Sequence, residues 1–348
     1  MARYKKYIDQ SVYDAAIERI NHIYDTFDSV VVMFSGGKDS LALLHLVKEV
    51  ADARGEKKVN VVFRDEELIP NVVIDFVDKY RAMNWVDMLY FAVPLNSQKF
   101  VLGQTETYIQ WDPNRKHVRP IPEHAITYDD GKVYDQYSMD ALTATFYKGK
   151  IAFLTGVRAS ESLVRFRASV NKLNESYINT PTQNIGNVKM CKPLYDWEEN
   201  DIFKYFYESE IEYCKVYDYQ LWNGDPFRVA TPIHQEAAKK FHKQRTLDPI
   251  LYSQVIDIFP DMLVQERYWQ ELDRGSAKEQ YSQSMDTIFE WIQQNITEPK
   301  QKKLAYKRFK EAFGLNKNYP DAYPLKHIFS YFEGGGYKRS LMPNRSKK

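Results

Sequence analysis

The stretch VVVMFSGGKDSLALLHL, residues 30–46, runs from β-branched residues through two glycines and a lysine into an apolar, helix-forming segment. SVVVMF (29–34) is short, continuous and stopped by glycine, the pattern of a strand buried on both faces. From about Asp39 to Ala53 the residues Leu41, Leu44, His45 and Val47 follow a helix. A strand that ends in Ser-Gly-Gly-Lys and feeds a helix brings unpaired amides, the positive end of a helix dipole and an ammonium to one point. Gly36 and Gly37 remove the Cβ atoms that would hold a ligand away and permit positive φ, so consecutive amides can curl around an anion. Ser35 and Ser40 add hydroxyls, Lys38 adds charge, and Asp39 can cap the helix or help hold Mg²⁺. The alternative is a glycine turn with a surface lysine. Neither G-x-x-x-x-G-K-[ST] nor the dinucleotide fingerprint is present. A phosphate cradle here requires that the bend face a cavity and not be filled by side chains.

Outward from this bend the chain alternates. A helix over 11–26 precedes the strand, VNVVF (59–63) follows as a second strand, then a helix near 71–82 and the strand MLYFAV (88–93). Such a β-α-β-α-β series needs crossover connections and hence a mostly parallel, doubly wound α/β sheet flanked by helices. After Pro94 the pattern fails for some 40 residues. WDPNRKHVRPIPEHAITYDDGKVYD (111–135) reads as an ordered insertion or a flap, the insertion covering about 95–137. Alternation resumes with a helix near 138–148 and the strand KIAFLTG (150–156). In DWEENDIFKYFYES (196–209), Asp196 and Glu199 have capping-box spacing ahead of an apolar face. From about 216 the chain reads as helical. The expected organisation is an α/β nucleotide domain over 1–215 and a mostly helical region over 216–348.

The 48 Lys and Arg nearly balance the 47 Asp and Glu, so attraction to nucleic acid or an anionic membrane must come from a local patch. KQKKLAYKRFK (300–310) and YKRSLMPNRSKK (337–348) are such basic segments, readable either as nucleic-acid contacts or as a solvated helix and tail. Two cysteines, Cys191 and Cys214, are too few for a disulfide framework and lack zinc or iron-sulfur spacing. MARYKKYIDQ has no secretory h-region, and no apolar run approaches the ~20 residues that span a bilayer, so a cytoplasmic protein without membrane association is expected.

Two further segments carry chemistry. LTGVRASESLVRFRA (154–168) places Arg158 just past a strand, at the edge where open α/β sheets bind ligands, so its planar fork can face phosphate or sulfate. Glu161 and Arg165, four apart, either join that site or pair with each other. FRDEELIP (63–70) sets Asp65, Glu66 and Glu67 at the end of the second strand, as a Mg²⁺ or ribose contact or as a solvated acidic turn. Trp111, Asp112, Arg115, Arg119 and His124 of the insertion could close over a nucleotide. His234 is a candidate general acid or base, or a structural histidine.

Ser35–Ser40 resembles the PP-loop of the adenine nucleotide α-hydrolase-like superfamily, the ATP pyrophosphatases. That resemblance implies that the loop grips the β- and γ-phosphates of ATP, with Mg²⁺, and leaves the α-phosphate open to attack. Gly156, Arg158, Glu161 and Arg165 resemble the G-x-R-x-x-E-S-x-x-R element of phosphoadenosine phosphosulfate (PAPS) reductases and the small subunit of bacterial ATP sulfurylase. Pro193, Leu194, Asp196, Trp197, Asp201 and Ile202 match the superfamily's P-L-x-D-W segment. WDPNRKHVRPIPE and FRVATPIHQEA (227–237) look most like its IbrA-like branch, and the resemblance covers most of 28–260. It implies a five-stranded parallel sheet, ATP or a sulfonucleotide (PAPS or its unphosphorylated relative APS) as substrate, an acidic contact to the adenosine at Asp65 or Glu66, and a ParB-like protein partner. The Glu-Cys-Gly-Leu-His segment of PAPS reductases and the paired cysteines of their iron-sulfur type are missing, so no cluster and no reduction by a protein thiol are expected. Three functions remain open: adenylyl transfer catalysed by Lys38 and Arg158, a non-catalytic nucleotide-dependent module acting with a ParB-like or DNA-bound partner, and PAPS reduction by an external thiol.

Overall fold

The computed structural model describes residues 8–344 apart from 129, 163–164, 168–176, 182, 184, 226 and 273–275. It divides into two compact units, Met1–Glu266 and Arg267–Lys348. The first unit opens with helix α1 (Val12–Thr26), whose Ser11 N-cap accepts from the amide of Asp14. Strand β1 (Ser29–Met33), helix α2 (Lys38–Ala53), β2 (Val59–Arg64), α3 (Asn71–Arg81) and β3 (Val86–Phe91) follow in the expected alternation. A hairpin of β4 (Leu95–Val101) and β5 (Gln104–Gln110) interrupts it before α4 (Gln136–Ala144) and β6 (Ile151–Leu154). Then come β7 (Ile178–Asn179), β8 (Val188–Cys191), α5 (Glu199–Glu208) and α6 (Val216–Trp222).

The main sheet has six strands in the order β3-β2-β1-β6-β8-β7. Five pair in parallel, and the two-residue β7 pairs antiparallel with β8 at the edge. The expected five parallel strands are therefore joined by a sixth, too short to be read from periodicity. β1 shows why a continuous apolar run was required. Val30 and Val32 belong to the core shared with α1 and α2, whereas Val31 points to the opposite core with Val62, Phe153 and Val188. Each such buried side chain contributes about 1.5–3 kcal/mol. Because β2 lies on one side of β1 and β6 on the other, the crossover direction reverses at β1. The crevice above the carboxyl ends of β1 and β6 is thus the place where this topology leaves room for a ligand.

Several expectations changed in detail. The insertion is anchored: the β4–β5 hairpin turns at Leu102 and Gly103, both at positive φ, and packs against Ile233, Phe241, Leu251 and Met262. Phe100 N donates to the Ile233 carbonyl (2.9 Å) and Leu102 N to Gln265 Oε1 (2.6 Å). The boundary expected at 215/216 falls inside the first unit, since residues up to 266 cover this hairpin. Asp196 does not cap α5. Glu198 is the N-cap, in a capping box with Asp201, and Asp196 instead forms a bidentate pair with Arg19 of α1 at 2.8 and 2.7 Å. Arg19 also donates to the Pro193 carbonyl (2.9 Å), so the P-L-x-D-W segment is held to α1 by a planar fork.

The second unit is helical, with helices Ser276–Tyr281, Met285–Asn295, Pro299–Asn318 and Leu325–Glu333. Ile288, Ile292, Ala305, Ala312, Ile328, Phe329 and Phe332 form its core. Among the described residues, no helix is long and apolar enough to cross a membrane.

Candidate phosphate site at the sheet edge

The bend after β1 has the geometry that two glycines allow. Gly36 sits at φ +72°, and a Cβ there would meet Val73 Cγ1 at 2.8 Å, so only glycine fits without displacing α3. Ser40 Oγ closes the turn from inside, accepting from Ser35 N (3.1 Å) and donating to the Gly37 carbonyl (3.0 Å). Ser35 is exposed, whereas Gly36, Gly37 and Lys38 are buried. From the neighbouring strand, Gly156 approaches so closely that a Cβ would lie 2.5 Å from the Asp39 carbonyl carbon. That contact sets the β6 loop against the start of α2 and delivers Arg158.

Four charged side chains meet there. Lys38 Nζ lies 3.0 Å from Asp39 Oδ2 and 3.3 Å from Glu199 Oε2. Arg158 Nε donates to Asp39 Oδ1 (2.6 Å), and its Nη2 lies 4.0 Å from Glu199. Arg158 is held from behind as well: Nη1 donates to Ser160 Oγ (3.2 Å), and its backbone N donates to Glu161 Oε2 (3.0 Å). Glu161 also pairs with Arg165, so these two form an ion pair that steadies the Arg158 backbone. Glu199, on the first turn of α5, was not singled out as a site residue. Its place could be suspected only from the P-L-x-D-W segment that precedes it.

The cradle is covered on one side. Lys38 N donates to Tyr217 Oη (2.6 Å), and Lys38 Nζ donates to the Phe227 carbonyl (3.1 Å). A Cβ on Gly37 would meet the Tyr217 hydroxyl at 3.2 Å. Burial first, opposed by the Lys38 amide hydrogen bond and reinforced by the carboxylates of Asp39 and Glu199, pushes the Tyr217 pKa up, so its oxygen stays protonated and accepts the amide as a neutral hydroxyl. Tyr217, 179 residues away, therefore takes the Lys38 amide that the sequence left free for a ligand and covers that side of the bend, while Ser35 stays exposed.

Asp65 and Glu66 were expected at the adenosine. Asp65 is instead buried and satisfied: it accepts from Tyr90 Oη (2.6 Å), Glu67 N (2.9 Å) and Arg119 Nη2 (2.5 Å). Glu67, read with them as a Mg²⁺ or ribose contact or a solvated acid, is instead fully buried at φ +61° and accepts from Arg115 (2.7 and 2.5 Å), Trp111 N (2.7 Å) and Val118 N (3.3 Å). Trp111, Arg115 and Arg119 thus fasten the insertion to the end of β2 instead of reaching over the bend. Glu66 is exposed at the surface, where neighbouring protein partly desolvates it. That desolvation first, and the Asp65 carboxylate second, raise its pKa, with Arg64 opposing. His124 packs edge-on against Tyr90, and His234 is exposed ahead of the helical turn Gln235–Ala238.

Asp39 does not fit a resident Mg²⁺, because both of its oxygens already accept from cations. Among the described residues no cluster of three or more His, Cys, Asp or Glu side chains could hold a metal. Both cysteines are buried. Burial first, with Asp218 and Asp75 adding to it, pushes the Cys214 thiol up to about 11, the reverse of what a nucleophile needs.

The phosphoadenosine phosphosulfate reductase domain model matches residues 29–223, more than half of the chain. The chain belongs to that family. The chain is 29% identical over 267 residues to the uncharacterised protein YbdN of Escherichia coli (strain K12), covering 72% of this chain and 65% of YbdN. It is 25% identical over 224 residues to a sulfate adenylyltransferase subunit 2 of Shewanella sediminis (strain HAW-EB3), covering 62% of this chain and 69% of that protein. Among solved structures, Candida glabrata FMN adenylyltransferase, in complex with FMN and an ATP analogue, superposes with a TM-score of 0.40 at 14% identity. That match covers 62% of this chain and 63% of the other, a likeness too loose to bear on activity.

Proposed function

We propose that the protein binds ATP, or a sulfonucleotide, at the bend after β1 and cleaves it beside the α-phosphate, transferring adenylyl and releasing pyrophosphate. One observation carries the reading: two buried cations, Lys38 and Arg158, stand at the topological switch point with their carboxylate partners on the solvent side. A triphosphate can replace Asp39 and Glu199 as the anion facing Lys38 and Arg158. Lys38 Nζ, and the Lys38 amide once released from Tyr217 Oη, would then hold the β- and γ-phosphates, and Arg158 would face the α-phosphate. When an acceptor oxygen attacks the α-phosphorus, the bond to the bridging oxygen breaks and pyrophosphate leaves with the electron pair. Lys38 stabilises that departing charge, and Arg158 the charge gathered on the equatorial oxygens. Mg²⁺ would arrive on the nucleotide as part of the substrate. The kinship with a sulfate adenylyltransferase subunit supports this chemistry over reduction, as does the burial of both cysteines. Turnover of ATP labelled at the α-phosphate tests it. AMP or an adenylylated acceptor together with pyrophosphate is expected, whereas release of orthophosphate alone would remove the assignment.

The hydroxyl of Tyr217 on the Lys38 amide favours a second reading, in which nucleotide acts as a switch. ATP would displace the Tyr217–Phe227 cover, and the moved segment would signal to a partner, a ParB-like protein if the chain follows the IbrA-like branch. Saturable ATP binding with no product, in the presence of that partner, would select the switch over the enzyme.

A further inference from the structure

We propose that the lysine face of the helix Pro299–Asn318 is a docking surface for the phosphate backbone of a nucleic-acid duplex. Lys300, Lys303, Lys307, Lys310 and Lys317 recur every three or four residues, with Gly314 in the one remaining register position, so all five lie along one face. All five are exposed, while Ala305 and Ala312 on the opposite face are buried in the core of the second unit. Among the described residues, none of the five has a carboxylate within ion-pairing distance, and the helix's own ion pair joins Arg308 to Glu311. Lysines on helices of the first unit are matched differently: Lys48 pairs with Asp52 and Lys204 with Glu208, each four residues on. Like charges three or four apart repel, so an unpaired stripe is a standing cost to the helix that an external polyanion would relieve.

Charge is segregated on the larger scale too. Residues 267–348 hold sixteen Lys and Arg against nine Asp and Glu, a surplus of seven on a chain of net charge +1. The near-neutral total therefore conceals a basic helical unit. Tyr337 Oη donates to Gln301 Oε1 (2.8 Å), which brings the turn Gly336–Lys338, with exposed Lys338 and Arg339, against the start of the same helix. The stripe runs about 25 Å, close to the length of seven phosphates along one strand of a duplex. A membrane fits less well. The apolar face of this helix is turned into the core, and Phe313 is its only large apolar side chain exposed, too little to insert beside the lysines.

The test uses the full chain and fluorescence anisotropy with labelled DNA and RNA duplexes of about 20 base pairs, titrated at about 50 and about 200 mM salt. Binding to either duplex is expected, with affinity falling steeply as salt rises. Lys303→Gln/Lys307→Gln/Lys310→Gln should weaken it at least about tenfold and make the log–log salt slope shallower by about three. Glutamine keeps helix propensity and removes the like-charge repulsion, so the thermal melt should be unchanged or slightly raised, never lowered. The matching triple arginine variant should retain binding, which separates charge from folding. The proposal is overturned if neither duplex binds at the lower salt, if the glutamine variant binds as tightly as the wild type, or if lysine-dependent binding appears only with phosphatidylserine vesicles.

Discussion

At the end of β2 the anions are buried and the cations reach outward: the side chains of Glu67 and Asp65 are 0% exposed, against 19% for Arg115 and 13% for Arg119. At the ends of β1 and β6 the order is reversed. Lys38 and Arg158 are 4% and 6% exposed, whereas Asp39 is 20% and Glu199 45% exposed. Both clusters combine carboxylates with cations at the carboxyl edge of one sheet, and their residue types differ little. The layering separates their roles. In the β2 cluster each arginine also donates to a backbone carbonyl, of Ile109 or Glu67, so the cluster is a closed lock between the insertion and the sheet. In the β1 cluster Lys38 likewise donates to the Phe227 carbonyl, but the outer members, Asp39 and Glu199, are partly exposed carboxylates that a phosphate can replace with its own oxygens.

The largest effect that would test this contrast lies in the lock. Glu67→Ala strips acceptors from Arg115, Trp111 N and Val118 N, and should cost about 3–5 kcal/mol in urea denaturation. A variant that stays as stable as the wild type but loses nucleotide affinity would make the β2 cluster a ligand site and erase the distinction. Next in size is the exchangeable cluster. Lys38→Ala or Arg158→Ala should lose about 2–4 kcal/mol of transition-state stabilisation in adenylyl transfer. The thermal melt should shift far less than for Glu67→Ala, and a melt that collapses in parallel with activity would assign Lys38 to the fold.

The bend itself was legible because everything that shapes it is local: three valines in a row, two glycines and a lysine ahead of an apolar helix. Gly156 and Arg158 were legible for the same reason, as the end of the next strand across. What covers and surrounds them was not. Tyr217 and Glu199 reach Lys38 from 179 and 161 positions along the chain, and no local pattern marks an aromatic hydroxyl as the acceptor for a loop amide. FRDEEL misled for a different reason. Three consecutive acids at a sheet edge look solvated, but Glu67 adopts a left-handed backbone that turns its carboxylate inward to four donors. The β4–β5 hairpin escaped notice because its strands carry Ser, Gln, Lys, Thr and Glu, and only its packing against 233–262 makes it part of a core.

Two smaller effects sharpen the comparison further. Tyr217→Phe removes the hydroxyl that holds the Lys38 amide. It should lower apo stability and tighten ATP binding, each by about 1–2 kcal/mol, as read by melting and titration on the same sample. An unchanged ATP affinity would mean that the cover stays in place when nucleotide binds. The smallest effect is expected at Glu66. Its pKa is raised above the ordinary 4.5 by crowding and by Asp65, so the folded state binds its proton more tightly than the unfolded one. Its stabilising contribution is complete below that ordinary value and is lost as pH rises through the raised one. Glu66→Gln should flatten this part of the stability–pH curve, and an identical curve would place Glu66 in open solvent.

Calorimetric titration of ATP with Mg²⁺ into the wild type, Lys38→Ala and Tyr217→Phe tests the account most directly. Saturable binding by the wild type, lost in Lys38→Ala, tightened in Tyr217→Phe and competed by pyrophosphate is the predicted result. Absence of binding by both the wild type and Tyr217→Phe, or equal binding by Lys38→Ala, would contradict it.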